Sequence, residues 1–289
     1  VNFDAVSTAD LRAHGSVKWS LFPDTVGAFI AEMDFGTAPA ITAALHAAVH
    51  AQSFGYLPAH LADAMSVACA AWQRDAYGWE VAASDVHPLG DVVQGLQVAM
   101  EHYSRPGSKV ILPVPAYMPF LTVPGTAGRE LITVPLATDG GRPVLDLDAI
   151  DAAYAAGGDL LVLCNPYNPV GRVFERAELV ALSEVVERHG GRVFSDEIHA
   201  PLVFAGYRHV PYASVSAVAA GHTVTATSAS KAWNLPGLKC AQLILSNPAD
   251  AATWEGFGMF ASHAASTLGV IANTTAYTAG GPWLAEVID

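Results

Sequence analysis

Between residues 92 and 246, short apolar runs alternate with stretches whose apolar side chains recur at helical spacing. The runs Lys109–Leu112, Glu130–Val134, Leu160–Cys164, Arg192–Ser195, Thr223–Thr227 and Gln242–Ser246 read as strands. Val92–Tyr103, Leu147–Ala156 and Glu175–His189 read as helices between them. Continuously apolar strands separated by helices predict an α/β fold with a mostly parallel sheet covered on both faces. Ahead of this unit, Pro39–Ala51 and His60–Tyr77 carry helical spacing, the second closing at Gly78, with a turn at Phe54-Gly55-Tyr56-Leu57-Pro58. Residues 1–35 show no period, and Pro23-Asp24 and Gly27 break up the stretch. Asn247-Pro248-Ala249-Asp250 is a cap signature that predicts one long final helix.

Composition narrows the chemistry. In 289 residues, 52% are apolar and 14% charged, as expected of a well-buried globular chain. The formal net charge of −13 argues against nucleic acid and anionic membranes as partners, since both need a basic face. No apolar stretch is long enough to span a bilayer. Val1-Asn2-Phe3-Asp4 lacks the basic start and apolar run of a signal peptide. Cys69, Cys164 and Cys240 are scattered and odd in number, which predicts reduced thiols in a cytoplasmic protein. Small-molecule chemistry is the default that remains.

In an open α/β sheet, ligands gather at the carboxyl ends of strands, and the polar clusters fall there. The richest is Ser228-Ala229-Ser230-Lys231-Ala232-Trp233-Asn234-Leu235-Pro236-Gly237-Leu238-Lys239. Lysine is scarce in this chain, limited to Lys18, Lys109, Lys231 and Lys239. Lys231 sits behind two hydroxyls and ahead of a second cation. Serine hydroxyls donate to phosphate oxygens and Lys239 adds a point charge. An amine whose burial and neighbours lower its pKa becomes a nucleophile. Lys231 therefore reads as the lysine that carries pyridoxal 5'-phosphate (PLP) as an imine. A surface lysine in a serine-rich loop is the plainer alternative.

Other strand ends supply matching parts. Gly90 and Asp91 open the helix at Val92, whose free amides suit a phosphate; a simply capped helix is the alternative there. Asp196, in Phe194-Ser195-Asp196-Glu197-Ile198-His199, is placed to pair with the pyridine nitrogen and keep the ring an electron acceptor, or else to cap a turn, with Glu197 beside it structural. His199 and Asn168, the latter in the doubled Asn165-Pro166-Tyr167-Asn168-Pro169 turn before Gly171-Arg172, are candidates for the ring's phenolic oxygen. Tyr117 is a candidate to stack on the ring or a core aromatic. His46 and His50 lie one helical turn apart with no third ligand, so no metal site is expected.

Together, Ala31-Glu32-Met33-Asp34-Phe35, Asn165–Arg172, Asp196–His199 and Ser228–Lys239 resemble the fold-type I PLP enzymes of the aspartate-aminotransferase superfamily. Within it the chain is similar to the cystathionine β-lyase (C–S lyase, MalY/PatB-like) branch. The resemblance implies Lys231 as the cofactor lysine and Asp196 as the ring-nitrogen partner. It implies Asn168 near the phenolic oxygen, Tyr117 stacked, and the phosphate on Asp91, Val92, Ser228, Ser230 and Lys239. Tyr56 matches a tyrosine that reaches the phosphate of the neighbouring subunit, implying a homodimer with shared sites.

It also implies residues 1–35 associated with a small domain, 36–250 as the large PLP domain, and 251–289 as a helix linking to a C-terminal small domain largely outside this chain. That domain would carry the arginine that grips the substrate carboxylate. Aminotransferases of this fold place tyrosine where His199 stands, which tilts the expectation to β-elimination. An aminotransferase and a non-catalytic PLP-binding or regulatory protein are the alternatives.

Overall fold

The computed structural model describes residues 3–289; Val1 and Asn2, where the sequence shows no leader pattern, lie outside the described residues. Among the described residues nine strands form, in chain order β1 (Val86–Leu89), β2 (Lys109–Val114), β3 (Leu131–Pro135), β4 (Ala137–Asp139), β5 (Arg142–Val144), β6 (Gly158–Cys164), β7 (Arg192–Asp196), β8 (Thr223–Thr227) and β9 (Ala241–Leu245). Seven of them make one sheet in the order β1-β9-β8-β7-β6-β2-β3, and β4 and β5 form a separate hairpin. Strands β3, β2, β6, β7 and β8 run parallel, while β9 is antiparallel to both β8 and β1. Two reversals cancel, so β1 points the same way as β8. The carboxyl ends of β1, β2, β6, β7 and β8 therefore share one edge.

The expected strands appear within a residue or two of their predicted limits. Every residue of β6, β8 and β9 is buried, as the unbroken apolar runs require of strands covered on both faces. The cover comes from helices α3 (Pro39–His50), α4 (Ala59–Trp72), α5 (Val92–His102), α6 (Met118–Thr126), α7 (Leu147–Ala155), α8 (Arg176–Arg188) and α9 (Ala217–Gly221). Leu89, Leu96, Ile111, Leu161, Leu182 and Val193 are among the wholly buried residues of the main core.

Two expectations are corrected. The first 35 residues are not irregular throughout: α1 (Thr8–His14) and α2 (Val17–Ser20) form there. Ser7 and Asp10 make a reciprocal capping box and Gly15 closes α1 at φ 71°, local signals short enough to escape a search for periodicity. The single long helix after Asn247 is instead four: α10 (Pro248–Trp254), α11 (Gly258–Ser262), α12 (Thr267–Ala279) and α13 (Gly281–Ile288). Asn247 does cap α10, accepting from Asp250 N at 2.9 Å, but new caps at Ser266 and Gly280 restart the chain. Ala272, Ala276 and Tyr277 of α12 and Trp283 and Leu284 of α13 then share a second core with Ile41, Cys69 and Trp233.

Gly269 sets how closely α12 lies on the lysine loop. A Cβ there would stand 2.2 Å from Leu238 O and 2.9 Å from the Cys240 Cβ. Backbone cannot rotate away as a flexible side chain would. Gly269→Ala is expected to destabilise the fold by about 1–3 kcal/mol, read as a lowered urea midpoint. An unchanged midpoint would show that the Leu238–Cys240 backbone yields freely.

Candidate active site

The lysine loop is built to hold Lys231 in place. Ser228 Oγ donates to Cys240 O at 2.7 Å and accepts from Ser230 N at 3.0 Å. Ala229 N donates to Asn273 Oδ1 at 3.0 Å. Two residues beyond Lys231, the wholly buried Trp233 packs against Trp72 and Tyr277 and donates to Gly280 O at 2.9 Å. Asn234, at φ 57°, accepts from Met33 N and donates to Met33 O, each at 3.0 Å, and reaches Gly36 O at 2.9 Å. Asparagine tolerates this left-handed backbone better than most residues, and its amide clamps residues 33–36 onto the loop.

That clamp brings in a residue that the sequence reading left without a role. The Glu32 carboxylate acts electrostatically on Lys231, while Lys18 holds Glu32 O at 2.9 Å and Asp34 at 2.8 Å. The signal was the Ala31–Phe35 motif itself; its partner lies some two hundred positions away, beyond any local pattern.

Lys231 is half-buried, and its pKa falls below the usual lysine value because burial outweighs the attraction of Asp196 and Glu32. Asp196, 4% exposed, is pushed up to about 7, first by burial and then by the adjacent Glu197, against the opposing Ile198 N–H and Lys231. Its Oδ1 accepts from Ile198 N at 3.0 Å. Among the described residues no cation lies at ion-pair distance from it.

Tyr117 follows β2 and is 39% exposed, set edge-on to Phe120. Its pKa is raised by burial and by the charges of both Asp196 and Asp91, with Lys239 opposing, so the ring lies within reach of both ends of the site. Asn168 and His199 line one cleft of about 640 Å³ together with Ala31, Leu202 and Tyr207. Burial and then Lys231 lower His199 to about 4, so it is neutral at pH 7.

At the far end Asp91 caps α5, accepting from Gln94 N at 2.8 Å, and its other oxygen pairs with Lys239 Nζ at 3.0 Å. The first-turn amides at Val92 are left for a ligand. Ser230 is half-buried in the lysine loop. Ser228 differs from expectation: it is buried, and its one hydroxyl hydrogen goes to Cys240 O, so it braces the cradle. Asn165 and Arg172 are likewise structural. Asn165 Oδ1 accepts from Phe174 N at 3.0 Å, and Arg172 is held by both oxygens of Glu178 at 2.7 Å. Tyr56 is 94% exposed, and its ring approaches His263 at 6.3 Å.

The donor set fits PLP. An aldehyde needs a desolvated amine, and Lys231 is one. A protonated ring nitrogen needs a buried acceptor without a cation of its own, and Asp196 is one. A phosphate needs helix amides, a hydroxyl and a cation, which Val92, Ser230 and Lys239 supply.

The profile of the family described as aminotransferase class I and II matches residues 30–286. The cystathionine β-lyase of Corynebacterium glutamicum is 39% identical over 96% of this chain and 74% of its own. The chain belongs to the aminotransferase class I and II family. Within that family, the cystathionine β-lyase PatB of Bacillus subtilis is 33% identical over 94% of this chain and 72% of its own. A crystal structure from Corynebacterium diphtheriae, assigned as a PLP-dependent β-cystathionase, superposes with a TM-score of 0.91 at 40% identity, covering 98% of this chain and 73% of that one. The fold is thus that of this family's PLP enzymes. No described helix is long and apolar enough to cross a membrane.

Proposed function

We propose that this chain is a PLP-dependent C–S β-lyase, cleaving cystathionine or related cysteine S-conjugates to a thiol, pyruvate and ammonia. The observation that carries the reading is the placement of Lys231 and Asp196 at neighbouring strand ends, electrostatically coupled, in a chain this similar to cystathionine β-lyases. Bound there, PLP supplies an electrophilic carbonyl and an electron sink. Lys231 takes the Cα proton of the bound amino acid, a role worth roughly 10²–10⁴-fold in rate. Its lowered pKa favours the free amine that this task needs. Asp196 holds a proton at the ring nitrogen. Neutral His199 and Asn168 orient the phenolic edge, and Tyr117 covers a ring face and excludes water. Asp91, Val92, Ser230 and Lys239 hold the phosphate, with Ser228 bracing them.

The large PLP domain spans residues 36–250 and is joined by α12 and α13, which share its second core with Ile41, Cys69 and Trp233, while residues 1–35 serve a small domain. The exposed Tyr56 supports a homodimer in which this ring reaches the neighbouring site. Three free, buried cysteines fit a cytoplasmic setting. Aminotransfer is the second reading, favoured by the family's own description and identical up to removal of the Cα proton.

The two separate by product. With PLP and cystathionine but no keto acid, pyruvate is expected to accumulate over many turnovers. Turnover that appears only when a keto acid is added would replace the lyase reading with the aminotransferase one.

A further inference from the structure

Asp196 and Glu197 are consecutive buried carboxylates, 4% and 1% exposed. The alternation of an extended chain sends them to opposite sides. Asp196 faces the cofactor position. Glu197 shares the side of Ser195, whose Oγ donates to Glu197 Oε1 at 2.9 Å. Tyr212 N donates to the same oxygen at 2.9 Å, and His209 Nε2 lies 2.9 Å from Oε2. His209 is itself wholly buried, edge-on to Tyr77 at 5.0 Å, and its Nδ1 has no partner among the described residues.

Two of the three contacts to Glu197 are neutral donors. A bare carboxylate in such a place costs several kcal/mol, and like charges on adjacent residues oppose each other's ionisation. Of the described groups touching Glu197, His209 alone can bring a proton. Tyr77 also feels the Glu197 charge, and its hydroxyl is engaged by Trp72. Around Asp196 the charged or titratable neighbours are Lys231, Glu197, Tyr117 and Cys164. Lys231 attracts the Asp196 charge, and the rest do not.

We propose that His209 is a positioning residue for the cofactor: the N–H that its Nε2 directs at Glu197 Oε2, 2.9 Å away, offsets much of that carboxylate's charge and eases the ionisation of Asp196, one residue back, against the ring nitrogen. The inference rests on the PLP reading above and adds the group that supports its electron sink from behind.

The test compares the parent chain with His209→Gln, Glu197→Gln and the double variant. Two readouts are used: the pH titration of the Asp196 carboxyl by ¹³C NMR without cofactor, and PLP affinity by fluorescence quenching. His209→Gln is expected to raise the Asp196 midpoint by about one pH unit and weaken PLP about tenfold. Adding Glu197→Gln is expected to reverse both losses, because the repelling charge goes with it. A structural role for His209 would leave the double variant no better than the single one, and that result overturns the proposal.

Should His209→Gln not fold, Glu197→Gln alone decides. With much of the charge already offset in the parent, the Asp196 midpoint is expected to fall by well under one pH unit. A midpoint lowered by about one pH unit would show an uncancelled Glu197 and contradict the proposal. If the parent chain binds no PLP, the cofactor reading fails, whereas the carboxyl titration still reports on His209.

Discussion

Lys231→Ala is expected to reduce pyruvate formation about 10⁴-fold, the upper end of what one positioned base contributes, and to prevent covalent attachment of PLP. The fold should survive. Among the described residues Lys231 makes no ion pair, and its ammonium form is disfavoured by burial, so its loss leaves no stranded partner. Circular dichroism and thermal melting should match the parent, while the coupled pyruvate assay falls to background. A variant with parent-like turnover would move the base elsewhere.

Asp196→Asn should separate stability from chemistry. Without cofactor, Asp196 binds its proton more tightly in the folded chain, near pH 7, than at its ordinary value of 3.8. Its contribution to stability is complete below 3.8 and is lost as pH rises through 7. Once ionised, the buried carboxylate costs up to about 4 kcal/mol relative to an exposed one. Asparagine keeps the acceptor for Ile198 N without the charge. The cofactor-free Asp196→Asn variant is therefore expected to show a higher urea midpoint than the parent at about pH 8, and a shrinking advantage toward about pH 4.5. The same substitution removes the partner of the ring nitrogen, so PLP binding and lyase turnover should both fall. Equal midpoints at the alkaline end would mean that Asp196 already has a cationic partner.

The stability cost and the function share one cause. A carboxylate held without a cation at the end of β7 destabilises the empty chain, and in the proposed function a protonated ring is what would stabilise it.

Much of this was legible in the sequence because buried parallel strands write themselves plainly. Leu160–Cys164 and Thr223–Thr227 have no solvent face to blur the pattern, and each leads directly into a polar cluster. Lys231 stood out through the scarcity of lysine and the serines before it. Strand β1 was not legible, being four residues with His87 and Pro88 inside it. The β4–β5 hairpin has three residues a side, and Pro119 and Pro124 disguise α6.

The roles of Glu32, Asn234 and His209 were out of reach for a different reason. Each depends on a partner distant in the chain or on burial that only the folded sheet creates: Asn234 clamps Met33 from 201 positions away, and His209 finds Glu197 only where the Ile198–Val210 connection folds back. Ser228 shows the converse. Its spacing suited a phosphate, but a hydroxyl has one hydrogen, and Cys240 O takes it.

The most direct test of the central claim is borohydride reduction of the PLP-loaded protein followed by peptide mapping. The expected result is one pyridoxyl phosphate group, on the peptide containing Lys231. A label on Lys18, Lys109 or Lys239, or no label at all, would contradict the account.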